Sequence, residues 1–288
     1  MTRNLAPDLA AAGGLVRRRS LLDLGHSPGM IRRLVADGTL SVPRRGWVAS
    51  VSAPAAAVRA VAMGGQLGGA SALESYGIWV DDDGPLVVSC APTASRLPVV
   101  ENGERRVWLR RGHPHTGARQ WRVSVVDALL QHAALVDRDS LISSVDSALN
   151  LKLLSRDDLR RFIRALPARL RSIAREVDAA SMSGTETRMR LALVRAGYNV
   201  ETQVFVPTVG IVDMLVDGWY ILELDSRRHH DGIEHQTTDR RRDGNAVLSG
   251  YAHDRFMWGQ VRHEIGWCLA VVEARMRDGP PAHGRSTG

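Results

Sequence analysis

One dipeptide constrains the fold more than any other feature: Asp217-Gly218, set between the apolar runs Ile211–Val216 and Trp219–Leu224. Asp-Gly is the pair that accepts a tight two-residue turn between antiparallel strands, so this spacing predicts a hairpin. Side chains alternate along a strand. Glu223 and Asp225 therefore point the same way at the end of the second strand, and Asp213 on the first strand shares their face. Carboxylates gathered at the end of an apolar hairpin repel one another and lose hydration. A divalent cation is the usual remedy, and hard oxygen ligands suit Mg²⁺ or Mn²⁺.

The chain has 288 residues, enough for two domains or three small ones, and a formal net charge of +7. That balance favours a polyanionic partner. The excess sits at the front: residues 1–50 hold eight Arg against three Asp, a net of +5. Two cysteines, Cys90 and Cys268, are too few for a disulfide framework or a four-thiolate zinc site. No apolar run approaches the roughly 20 residues that span a bilayer, and Pro7, Asp8 and Gly13-Gly14 break the only candidate leader. The expectation is a cytoplasmic protein with no membrane partner. Aromatic residues make up 5%, which argues against a platform that stacks single-stranded bases.

The expected fold class is α/β of the α+β kind, in three parts. Residues 1–50 read as short helices Pro7–Ala12 and Arg18–Leu24, then a third from Ser27-Pro28 to Gly38, where Ser27 is a plausible N-cap. Met30, Ile31, Leu34 and Val35 line its buried stripe, leaving Arg32 and Arg33 outward. Strands at 40–42 and 46–48 flank a basic tip, Pro43-Arg44-Arg45. This is a winged helix-turn-helix pattern, in which the third helix enters the major groove of double-stranded DNA and the wing touches phosphate. The simpler alternative is a small helical domain with solvated arginines. Residues 51–182 read as a mixed α/β and helical connector, with helices at 55–63, 69–76, 125–149 and 156–179 and strands at 85–89 and 106–109. Residues 183–288 read as a helix at 185–196, three strands, a His-rich loop at 225–238, a helix at 239–249, a strand at 251–256 and a closing helix at 261–276. That order, αβββαβ with a final helix, makes a mixed sheet flanked by helices.

Residues 183–276 carry a family likeness. Ser183-Gly-Thr-Glu186 opens the first helix, Val212-Asp213 lies in the second strand, and Leu222-Glu-Leu-Asp225 ends the third. His229 follows six residues after Glu223, and Asp239-Arg-Arg-Arg242-Asp243 opens the next helix. In order and spacing this segment resembles the Vsr-like endonuclease-domain family of the PD-(D/E)XK nuclease superfamily, whose core is that of the restriction endonucleases. Residues 1–50 resemble the winged-helix head of AbiEi-type antitoxins. Three departures stand out: Ser226 where the family has Gly, Asp225 where the wider superfamily has Lys, and too few cysteines for the zinc site of the repair enzymes. The last speaks against mismatch repair.

The resemblance implies a metal-dependent DNA endonuclease, with catalytic residues Glu186, Asp213, Glu223, Asp225, His229 and Arg242. Asp213, Glu223 and Glu186 would hold Mg²⁺ or Mn²⁺, while Arg32, Arg33, Arg44 and Arg45 would contact DNA. Each has a plainer reading beside it. Ser183-x-x-Glu186 is a capping box worth about 1 kcal/mol. Asp213 and Glu223 would otherwise be arginine-paired, because an unpaired carboxylate is costly among apolar neighbours. Arg242 would clamp a phosphate or pair with Asp213 or Glu223. His230 and His235 read as loop residues. The alternative function is a DNA-binding regulator or antitoxin with an inactive nuclease-like domain, working with a protein partner from a defence or toxin–antitoxin system.

Overall fold

Residues 4–81, 84–108, 119–225 and 242–281 are described by the computed structural model. The chain groups into two units, Met1–Val136 with Leu154–Pro167, and Asp137–Leu153 with Ala168–Gly288. These divisions fall elsewhere than residues 50 and 182: the head groups with most of the connector, and part of the connector groups with the C-terminal segment.

The first unit opens with α1 (Ala6–Ala11), β1 (Leu15–Arg17), α2 (Arg18–Asp23), α3 (Pro28–Ala36), β2 (Leu40–Ser41) and β3 (Trp47–Ser50). Ser27 caps α3, its hydroxyl accepting the Met30 N–H at 3.1 Å, with Pro28 at the first helical turn, where its missing N–H costs nothing. Ile31 is buried with Leu9, Leu21, Leu40 and Val48, whereas Arg32 and Arg33 are exposed. The mixed order of helices and short strands is the one expected for the head. It gains one strand: β1 pairs antiparallel with β3, giving the sheet order β1-β3-β2. Three residues are too few to show a period, which is why β1 escaped the sequence.

After the head come α4 (Ala55–Ala62), β4 (Gln66–Leu67), α5 (Gly69–Ser75), β5 (Leu86–Cys90), β6 (Glu104–Trp108) and α6 (Val125–His132). The helix expected over 125–149 is broken in two. Asp137 accepts the N–H groups of Asp139 and Ser140, both at 2.9 Å, and starts α7 (Arg138–Asn150) in the second unit. The stretch 156–179 likewise divides into α8 (Arg156–Ala165), which returns to the first unit, and a 3₁₀ segment, Ala168–Arg175.

The second unit continues with α9 (Gly184–Arg195), β7 (Val200–Val206), β8 (Gly210–Val216), β9 (Tyr220–Asp225), α10 (residues 242–248), β10 (Ala252–Met257), α11 (Trp258–His263) and α12 (Ile265–Asp278). The sheet order is β10-β9-β8-β7, with β9 and β10 parallel and the other neighbours antiparallel. Asp217 and Gly218 take φ of 48° and 78°, the left-handed pair that a type I′ turn requires. Met214, Val216, Tyr220, Leu222 and Leu224 pack with Met189 and Leu193 of α9 and with Val261, Cys268 and Val272. Leu215 and Ile221 join Val206, Val209, Val212 and Ala246 of α10 in a second cluster. Among the described residues no helix is long and apolar enough to cross a membrane.

A buried ionic tie holds α9 in place. The Asp146 carboxylate on α7 accepts from Arg190 Nη2 at 2.8 Å, Thr187 Oγ1 at 2.9 Å and the Asp178 N–H at 2.8 Å. Asp146 is fully buried and Arg190 nearly so. Removing the acceptor strands two buried donors, one of them charged, and a half-buried N–H, so Asp146→Ala is expected to cost about 3–5 kcal/mol in urea unfolding. Gly218→Ala, which forces a Cβ into left-handed backbone, is expected to cost about 1–2 kcal/mol by the same measurement.

Candidate active site

β8 and β9 pair antiparallel through Met214↔Leu222, Leu215↔Ile221 and Val216↔Tyr220. Leu215 and Ile221 face each other in register as buried apolar residues. The paired register ends at Met214↔Leu222, and the next residues along the two strands are Asp213 on β8 and Glu223 on β9. Asp213 Oδ2 accepts the Leu224 N–H at 2.8 Å, so the side chain takes a donor from the neighbouring strand. Burial, the negative charge of Asp213 and a hydrogen bond with Asp213 push the Glu223 carboxyl up to about 8, against the pull of Arg242.

Glu186 joins them from α9. Ser183 Oγ caps the helix by accepting the Glu186 N–H at 3.2 Å. The other half of the expected capping box differs. The Glu186 carboxylate reaches past Ser183 to accept the Met182 N–H at 2.9 Å. The same oxygen accepts from Gln203 Nε2 at 3.1 Å, and Gln203 Nε2 is also 3.1 Å from Asp213 Oδ1. Glu186 is 4% exposed, and its pKa rises to about 6, chiefly by burial, with the charge of Asp213 adding to it.

Arginines border the group. Arg242 on α10 donates through Nε to the Val209 carbonyl at 3.0 Å and through Nη2 to the Ile211 carbonyl and to Glu223 Oε1, the last at 3.2 Å. It thereby pairs with Glu223 while holding the turn between β7 and β8. Arg255 lies beside Glu223 in the parallel β9–β10 register. Its guanidinium is 3.9 Å from Asp225 and 3.4 Å from Asp243. His253 Nε2 stands 3.2 Å from Asp243 without hydrogen-bond alignment, and burial lowers its pKa.

The structure thus brings Glu186, Asp213, Glu223 and Arg242 together, with Asp225 at the strand end against Arg255. His229 lies outside the described residues, as do Ser226, His230, His235 and Asp239. Asp243 has neighbours of its own beyond the helix dipole. Of the DNA-contact candidates, Arg32, Arg33 and Arg45 are exposed, while Arg44 is partly buried and donates to the Ala62 carbonyl at 3.2 Å. Gln203 and Arg255 were not singled out from sequence. Carrying the hairpin register past Met214↔Thr202 would have put Gln203 opposite Asp213.

Glu186, Asp213 and Glu223 carry hard oxygen atoms, the ligand type that Mg²⁺ and Mn²⁺ take. Among the described residues no set of three or more His, Cys, Asp or Glu side chains is close enough to hold a metal ion. Mg²⁺ is commonly held by one or two carboxylates and keeps several waters.

No family model matches the chain, and no curated protein matches it. Among solved structures it is similar to the RV2827C protein from Mycobacterium tuberculosis, at 17% sequence identity and a TM-score of 0.28, covering 65% of this chain and 73% of that chain.

The raised Glu223 pKa has a consequence for stability. Folding favours the protonated carboxyl, so its contribution is fully present below about pH 4.5 and is lost as pH rises through about 8. Over that interval, without divalent metal, wild-type protein is expected to lose on the order of 2 kcal/mol relative to Glu223→Gln, as read by urea unfolding at each pH.

Proposed function

We propose that the chain is a metal-dependent endonuclease acting on double-stranded DNA, as the likeness to Vsr-like PD-(D/E)XK domains implies. The observation that carries the reading is the Asp213–Glu223 pair: two acidic side chains from neighbouring strands, close enough to raise the Glu223 carboxyl, with a third carboxylate joined to Asp213 through Gln203. The bound ion would supply Lewis-acid chemistry, lowering the pKa of water and offsetting charge that grows on the phosphate.

The chain's own groups divide the remaining work. Asp213 and Glu223 would hold the cation, with the backbone carbonyl near Leu224. Glu186, with its pKa near neutrality, takes a proton from the attacking water. Asp225 orients that water from the strand end. Arg242 and Arg255 present guanidinium groups to phosphate oxygens, and Arg242 leaves Glu223 when it does so. His229 is assigned a hydrogen bond to the leaving oxygen on the family position alone. The head adds affinity for duplex DNA through the exposed Arg32, Arg33 and Arg45.

Two measurements test this. Wild-type protein is expected to nick supercoiled plasmid with Mg²⁺ or Mn²⁺ and not with EDTA, and Asp213→Asn and Glu223→Ala are each expected to lower the rate about 100-fold or more. Equal behaviour of all three proteins would point instead to the regulator with an inactive nuclease-like domain. Separately, duplex binding should weaken steeply with salt, and the double change Arg32→Ala, Arg33→Ala should reduce the slope of log affinity against log salt by about 2. An unchanged slope would remove the head from the DNA contact.

A further inference from the structure

We infer that Gln203 is a positioning residue, whose side-chain amide sets the spacing between Glu186, the proposed base, and Asp213, a proposed cation ligand; the inference rests on the cleavage reading above. An amide nitrogen has two N–H donors. Here one goes to Glu186 Oε2 and the other to Asp213 Oδ1, each at 3.1 Å. The two acceptors come from different elements, α9 and β8, and Gln203 on β7 bridges them.

Each carboxylate has a second fixed point. The Met182 N–H holds Glu186, and the Leu224 N–H holds Asp213. With those anchors and the amide between them, the separation of the acids is set before any cation arrives. The chemical type matters. An arginine or lysine in this place would neutralise the field that attracts the ion, and a carboxylate would add repulsion. A neutral double donor draws the two anions together and leaves their charge in place.

The backbone supports a built role. Gln203 lies mid-strand between the register pairs Thr202↔Met214 and Val204↔Val212, yet its φ is 52°. Left-handed backbone costs a residue with a Cβ about 1–2 kcal/mol, and such conformations persist where the surroundings over-determine them. Here they carry a side chain to two acids at once. Glycine would suit the backbone better and would deliver no amide.

That contrast supplies the test. Gln203→Gly relieves the backbone while removing the amide, so a folding defect is not expected, and thermal unfolding of the full chain checks this. Mn²⁺ binding by titration calorimetry is read beside plasmid nicking. The expected result is Mn²⁺ affinity weakened about 10- to 100-fold in Gln203→Gly, and kcat lowered with KM for DNA little changed. Gln203→Glu should nick no better than Gln203→Gly, because isosteric shape without the donors does not restore the bridge. Wild-type protein that binds Mn²⁺ and nicks, with Gln203→Gly matching it in both, overturns the inference and leaves the cleavage reading standing. Wild-type protein that neither binds Mn²⁺ nor nicks overturns both.

Discussion

The buried contact of Asp146 with Arg190, Thr187 and the Asp178 N–H fixes α9, and the acidic site depends on α9 for one of its members. Thr187 is the residue after Glu186, so the tie acts within one turn of the carboxylate it positions. An ion pair this deep adds little net stability over an apolar replacement, because desolvation of both charges offsets their attraction. Its value lies in direction. Hydrogen bonds to a fully buried carboxylate have few alternative geometries, whereas apolar packing tolerates small shifts of one helix over another.

From that frame the electrostatics of the site follow. The sheet supplies Asp213 and Glu223 from the neighbouring strands β8 and β9. Burial raises Glu223 and Glu186 alike, each further raised by the charge of Asp213. Arg242 relieves part of the excess, and it is engaged at the same time by the carbonyls of Val209 and Ile211. The acids are therefore under-compensated rather than paired one to one.

Much of this was legible in the sequence, for identifiable reasons. Asp217-Gly218 announces its turn through backbone chemistry local to two residues, and the flanking apolar runs mark β8 and β9 on either side of it. Ser27-Pro28 marks the start of α3 in the same local way. Readings failed where a break was set by less regular signals. The single helix expected over 125–149 ignored Asp137 as a cap, and the closing helix is split at Glu264, whose φ of −133° and ψ of 34° leave the helical region. Gln203 was missed because its role arises from one residue's φ, which no periodicity encodes. The capping box was half right: the Ser183 hydroxyl caps as its spacing suggests, but where the Glu186 carboxylate goes is decided by Gln203 on β7.

The kink at Gln203 also bears on how the molecule behaves at high concentration. β7 is the outermost strand of its sheet, and Phe205 on it is 70% exposed. An open strand border with an apolar side chain is a template onto which another chain adds by backbone pairing. A left-handed residue in the middle of that border breaks the even spacing of its outward N–H and C=O groups, so an incoming strand finds no continuous ladder to extend. The irregularity that aims an amide at two acids thus also guards the protein against edge-to-edge self-association.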